Sequence, residues 1–157
     1  MESVKSVLEN LDVLYEVISI DPEFADTAVF CEKYGYPAEQ SANTIIVASK
    51  KEPRQYAACV VLATSRLDVN RRVRKLMGVP RASFATAEEM MDLTGMKVGG
   101  VTPFSLPEGM PLYVDPLVMA PEWVILGGGG RDTKVKISPA VFTKLGAQVV
   151  EITVPVS

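Results

Sequence analysis

The sequence predicts a mixed α/β domain, with a mostly antiparallel sheet flanked by helices. Three observations lead there. Helical and strand periodicities alternate along the first half. The second half is rich in short strands that glycine separates. No repeat, low-complexity tract or linker divides the 157 residues, so one domain over 1–157 is expected, and that length buries a sizeable core.

The elements follow in order. Val4, Val7, Leu8 and Leu11 carry the i, i+3, i+4, i+7 spacing of an amphipathic helix over residues 3–11. Residues 13–20 read as a strand. Asp26 or Thr27 caps a second helix, which stops at Gly35 with Pro37 just beyond. Residues 44–48 and 56–63 are β-rich, and the polar, proline-bearing segment between them suits a hairpin. Asp68 caps a helix whose Val69, Val73, Leu76 and Met77 share a face, with Gly78 and Pro80 as stops. Thr86 and Glu89 have the spacing of a capping box, for a helix that ends near Gly95. Residues 112–114 and 123–126 read as strands. Four glycines at 127–130 make a turn into the alternating Lys134, Val135, Lys136, Ile137. Ser138 and Pro139 start a last helix, with Ile137 and Phe142 placed as a staple and Gly146 as its end. Residues 147–154 read as a closing strand.

Composition narrows the chemistry. The chain has no histidine. That excludes Ser-His-Asp and Cys-His catalysis and removes the commonest general base at neutral pH. Cys31 and Cys59 have no zinc or disulfide spacing and read as buried small hydrophobes. No metal and no cofactor are expected. The net charge of −3 argues against binding driven by diffuse phosphate contacts, so any nucleic-acid contact is local. One basic run, Arg66, Arg71, Arg72, Arg74 and Lys75, fits either an RNA contact or the solvated face of a helix. No apolar run approaches the ~18 residues of a membrane span, and residues 1–13 lack the apolar block of a signal peptide. A cytoplasmic protein with no membrane partner is expected.

Three segments can carry chemistry. Gly99 and Gly100, before Val101, Thr102 and Pro103, allow close backbone approach to an ester carbonyl or ribose hydroxyl, or simply a tight turn at a crowded sheet edge. The glycines at 127–130 lack the Gly-Lys-Ser/Thr ending of a phosphate loop and suit a hairpin at the mouth of a pocket. Asn43, directly before Thr44, opens an apolar strand, either as a turn residue or as a polar group in a site. Trp123, Met90 and Met91 read as packing.

The order of these landmarks resembles the YbaK/ProX family over nearly the whole chain. The matching pieces are Arg66-Leu67-Asp68, Leu93-Thr94-Gly95, Val98-Gly99-Gly100-Val101-Thr102-Pro103, Tyr113-Val114-Asp115 and Gly127-Gly128-Gly129. The family comprises free-standing relatives of the editing domain of bacterial prolyl-tRNA synthetases. The resemblance implies a trans-acting aminoacyl-tRNA deacylase, a hydrolase serving translation fidelity. Its partners would be the tRNA 3′ aminoacyl end and a synthetase. Water would attack the ester, helped by the Gly-Gly loop and by ribose hydroxyls. The alternative is a relative that binds aminoacyl-tRNA or a small ligand without hydrolysis.

The resemblance also assigns residues. Asn43, Gly99 and Gly100 take the catalytic positions. Asp26, Thr27, Thr44, Arg66, Lys97, Val101, Thr102, Gly128, Gly129 and Lys134 take the substrate-binding ones. Three departures stand out, one being that Asp26, with Thr27 next to it, stands where many relatives carry a threonine. Relatives carry a lysine where Asn43 stands, and an uncharged amide supplies no cation. Lys97, beside the Gly-Gly loop, is the expected replacement; Lys50 and Lys51 lie roughly 20 Å away along an extended strand. Lys134 stands near the place of an aspartate that some relatives carry, with Asp132 close by but out of register.

Overall fold

The structure is a computed structural model that describes residues 4–97 and 100–154. Its strands form two sheets. The first is antiparallel, with β7 (Thr133–Ile137) between β1 (Tyr15–Ser19) and β6 (Val124–Gly127). The second is mixed, in the order β4 (Ala82–Phe84), β2 (Ala42–Ser49), β3 (Tyr56–Leu62), β5 (Leu112–Val114), β8 (Gln148–Val149). Here β2 pairs antiparallel with both β3 and β4, whereas β3–β5 and β5–β8 are parallel. A parallel bridge from Ser41 to Ile125 joins the sheets. The expected fold class stands, with the strands divided between two sheets.

Period-two alternation builds the core. Val60, Leu62 and Val114 from one sheet meet Leu126, Val135 and Ile137 from the other, closed by Leu8 and Phe142. Leu8 comes from α1 (Val4–Asn10) and Phe142 from α5 (Val141–Lys144). Ile137 and Phe142 share this core, as their staple positions require. Burying Phe142 completely contributes about 1.5–3 kcal/mol. The other face of the five-stranded sheet packs Val47, Cys59 and Val61 against Val69, Val73 and Ile152. Burial pushes the Cys59 thiol up to about 12, so it behaves as the small hydrophobe expected.

Part of the helix signalling acts as predicted; at α2 (Thr27–Tyr34) the Asp26 side chain makes no capping hydrogen bond. Helix α2 follows Asp26 at the cap position and ends on Gly35, whose φ of 76° is left-handed. Thr86 and Glu89 form a reciprocal capping box at the start of α4 (Ala87–Thr94). The Asp68 side chain accepts from the Arg71 main chain, but residues 69–73 wind as a π-turn before α3 (Arg74–Met77).

Two expectations need correction. Of residues 147–154 only Gln148–Val149 form a strand. Buried Asp115 accepts hydrogen bonds from the Ile152 main chain (3.0 Å) and the Thr153 hydroxyl (3.2 Å), which draws that segment off the ladder. The last helix is a single turn at 141–144; Ser138 and Pro139 precede it, their carbonyls accepting from Val141 and Phe142.

Candidate active site

The five-stranded sheet leaves one edge half covered. β4 pairs only with Val47, Ala48 and Ser49 of β2, and Ala85 N–H donates to the Ile46 carbonyl at 2.9 Å. Odd residues of β2 turn their main chain toward β3, as in Ser49 N–H to the Gln55 carbonyl. Alternation therefore turns the main chain of Thr44 to the open edge. A cleft of about 420 Å³ lies there.

Six elements line it. Asn43 and Thr44 come from β2, Asp26 and Thr27 from the start of α2, and Lys134 from β7. Gly127 brings main chain, and Ile46, Phe84, Ala85, Met90 and Val101 make the apolar part. Ile46, Met90 and Val101 belong to one buried cluster, so that part of the wall is packed.

The polar end is organised. The Thr27 hydroxyl donates to the side-chain oxygen of Asn43. That leaves the Asn43 amide NH₂ as the end that can donate to a ligand. Thr44 is 9% exposed, and its hydroxyl oxygen is buried with no hydrogen-bond partner among the described residues. A buried polar atom of this kind ordinarily finds a partner, and a ligand in the cleft can supply one.

Lys134 is the cation of this site. It sits on the central strand of the three-stranded sheet, paired with Ile18 on one side and Gly127 on the other. Phe30 of α2 packs with Ile18 and Ile125 of that sheet, and the Lys134 ammonium lies 5.5 Å from the centre of the Phe30 ring. Only 4% of the residue is exposed. Burial lowers its pKa to about 8, while the Asp26 carboxylate works in the opposite direction. Asp26 in turn pairs with Arg131 at 3.3 Å. Asp26 and Lys134 thus bring opposite charges to one cleft.

The other sequence-predicted residues divide. Lys97, the expected replacement cation, is exposed and is not among the described residues that line the cleft. Thr102, Gly128 and Gly129 also lie off that wall, and Arg66 lines a neighbouring cleft instead. Gly99 lies outside the described residues. Gly100 is buried against the other glycine segment: a Cβ there would meet the Gly130 carbonyl carbon at 2.8 Å. Its carbonyl accepts from Gly129 N–H at 2.8 Å. At Gly127 a Cβ would stand 2.1 Å from the Val101 carbonyl oxygen. These glycines are required by backbone-on-backbone packing, which in turn holds Val101 in the wall.

Sequence reading missed Met90, Phe84, Ala85 and Ile46 as lining residues. Met90 had a signal, since the capping box fixes the start of α4 and with it the face on which Met90 lies. Among the described residues no cluster of acidic residues or cysteines could hold a metal ion. No helix among them is long and apolar enough to cross a membrane.

The comparisons converge. A sequence model of the aminoacyl-tRNA editing domain matches residues 21–145. An uncharacterized protein, YwhH, of Bacillus subtilis (strain 168) is 26% identical over 125 residues, covering 74% of this chain and 78% of its own. The crystal structure of the hypothetical protein APE2540 superposes with a TM-score of 0.87 at 25% identity, covering 98% of this chain and 100% of that one. The crystal structure of a proposed trans-editing enzyme for prolyl-tRNA synthetase gives 0.83 at 23% identity, over 97% and 95% of the two chains.

Proposed function

We propose, from the premise that this chain belongs to the aminoacyl-tRNA editing domain family, that it is a trans-acting deacylase hydrolysing the ester of mischarged tRNA. The observation that carries this reading is the cleft at the open edge of β2, apolar over most of its wall and charged at one end. A synthetase cannot strongly reject an amino acid that differs by a methylene, which is worth only about 1–3 kcal/mol, so a second pocket that removes the error is useful.

An aminoacyl ester offers an α-ammonium, a carbonyl and a side chain. The carboxylate of Asp26 suits the ammonium. The Lys134 ammonium and the Asn43 amide suit the carbonyl oxygen, and Ile46, Ala85, Met90 and Val101 suit an uncharged side chain. Water adds to the carbonyl carbon and the oxygen takes up negative charge. Donors already aimed at that charge lower the barrier. The intermediate then collapses: the bond to the ribose oxygen breaks, that oxygen takes the proton that the water gave up, and free amino acid and uncharged tRNA leave. With a pKa of about 8, Lys134 is mostly protonated at neutral pH. The tRNA is then the partner, the cytoplasm the place of work, and a synthetase the source of the mischarged substrate.

A second reading is a module that holds aminoacyl-tRNA without hydrolysing it. It is favoured by the uncharged Asn43, whose oxygen is already engaged by Thr27. Purified protein assayed against a panel of mischarged tRNAs separates the two. Hydrolysis of at least one above the spontaneous rate supports the deacylase, and binding without hydrolysis across the panel supports the module.

A further inference from the structure

The amine of Lys134 is placed as a nucleophile as well as a cation. Its strand is paired on both sides at this residue, with Ile18 and with Gly127, so the root of the side chain is fixed. Nearly all of the residue is buried, yet it lines the cleft of about 420 Å³, which is the way in to its amine. Ile46, Ala85, Met90 and Val101 line the same space, and the Phe30 ring lies 5.5 Å from the nitrogen. Apolar surroundings disfavour an ammonium and leave a share of neutral amine, whose electron pair can attack carbon.

Three charged or titratable groups act on this nitrogen. Burial is the largest influence and brings its pKa to about 8; Asp26 and Cys31 work against burial, and Arg131 works with it. Two polar groups complete a setting for carbonyl chemistry. The Asn43 side-chain oxygen is held by Thr27, so its NH₂ end can donate to a carbonyl oxygen as charge builds there. Asp26 brings a carboxylate to the same wall, able to carry a proton between nitrogen and oxygen.

We propose that the cleft binds a small, uncharged aldehyde covalently, as an imine on the Lys134 nitrogen. The amine attacks the carbonyl carbon, a C–N bond forms, and the C=O electron pair moves to oxygen, which takes a proton from nitrogen. The carbinolamine then loses that oxygen as water and leaves a C=N bond. Aldehyde and amine thus give imine and water, with no oxidant or reductant. The apolar wall sets the ligand class, because it suits a short hydrocarbon chain and would desolvate a carboxylate at a cost. This activity is separate from ester hydrolysis and does not depend on it.

The test is reductive trapping. Isobutyraldehyde and cyanoborohydride are added to the native protein at pH 7, and labelled lysines are located and timed by peptide mass spectrometry. An amine of pKa about 8 is roughly a tenth neutral at pH 7, against roughly one in 2,000 for an ordinary lysine, and its lower basicity takes back part of that gain. Lys134 is therefore expected to be labelled at least about tenfold faster than the exposed Lys51 and Lys97. Trinitrobenzenesulfonate, too bulky for easy entry, should reverse the order, and unfolding in urea should abolish the preference. Lys134 labelled by the aldehyde no faster than Lys51 and Lys97, or a preference that survives unfolding, overturns the proposal. So does Lys134 reacting first with the sulfonate, since its reactivity would then owe nothing to the cleft. The readout is a covalent mass change, so a wild-type protein that hydrolyses no tRNA would count against the deacylase reading and leave this result standing.

Discussion

The hydroxyl of Thr27, the first residue of α2, donates to the side-chain oxygen of Asn43, the second residue of β2, within the wall of the cleft. The bond fixes which end of the Asn43 amide is free to donate. Thr27→Val removes the donor at nearly constant volume and is expected to lower kcat/KM for a mischarged tRNA about tenfold. Asn43→Ala should lower it about a hundredfold. The two losses should not add, because the first acts through the second. A double-mutant cycle in single-turnover conditions checks this, and strictly additive losses would show the residues to act separately.

On the deacylase reading, Lys134 should set the pH dependence. Its charged form prevails below a pKa of about 8, so the enzymatic rate, after subtraction of spontaneous ester hydrolysis, should fall above pH 8 by up to about tenfold per unit. The stability effect has the opposite sign. Burial penalises the charged amine, so the cost is present below about 8 and fades as pH rises toward 10.5, the ordinary value. A Lys134→Gln variant should lose the alkaline limb of the rate profile. An identical limb in that variant would assign it to another group.

Asn43 and Lys134 line one cleft, so the position of the cation can be exchanged. Asn43→Lys alone places two ammonium groups in a partly dry site, where like charges disfavour each other. Its activity is expected below that of the double variant Asn43→Lys, Lys134→Asn, by about tenfold in kcat/KM. Equal activity in the two proteins would contradict this.

Several helix limits were legible from sequence, although the Asp26 side chain makes no capping hydrogen bond. Asp26 and Gly35 mark the limits of α2, and Thr86 with Glu89 marks the start of α4. β4 was not legible, because three residues are too few to declare a period. The closing strand was over-read because Val149, Val150 and Ile152 look β-rich, and nothing local reveals that Asp115, far back in the chain, captures the main chain at Ile152. At the site, Asn43, Thr44, Asp26, Thr27, Val101 and Lys134 were named from the resemblance, and the fold brings them into one cleft. What sequence could not supply was burial. Lys134 and Lys136 alternate with Val135 and Ile137 like any solvent-facing pair, until Phe30 of α2 and Trp123 pack against them. Lys97 stood close to the glycine loop in sequence and still lies off the wall.

The glycine segments should answer to stability. Gly127→Ala drives a Cβ into the Val101 carbonyl oxygen, a backbone atom that cannot rotate away, and should cost ~2–3 kcal/mol in urea unfolding. Gly130→Ala meets only the Asp132 side chain, at 3.0 Å, and should cost less than half of that. Equal midpoints for the two variants would mean that the loops do not hold each other as described.

The most direct measurement is single-turnover hydrolysis of mischarged tRNAs at pH 7 by the wild-type protein and by Lys134→Met, which keeps an unbranched side chain, one heavy atom shorter, and removes the charge. The account predicts that the wild-type protein hydrolyses at least one mischarged tRNA well above the rate in buffer. It also predicts that folded Lys134→Met is slower by about a hundredfold, of the order set by loss of one donor to a developing oxyanion. A wild-type protein no faster than buffer on every tRNA tested, or a Lys134→Met variant as fast as wild type, would contradict it.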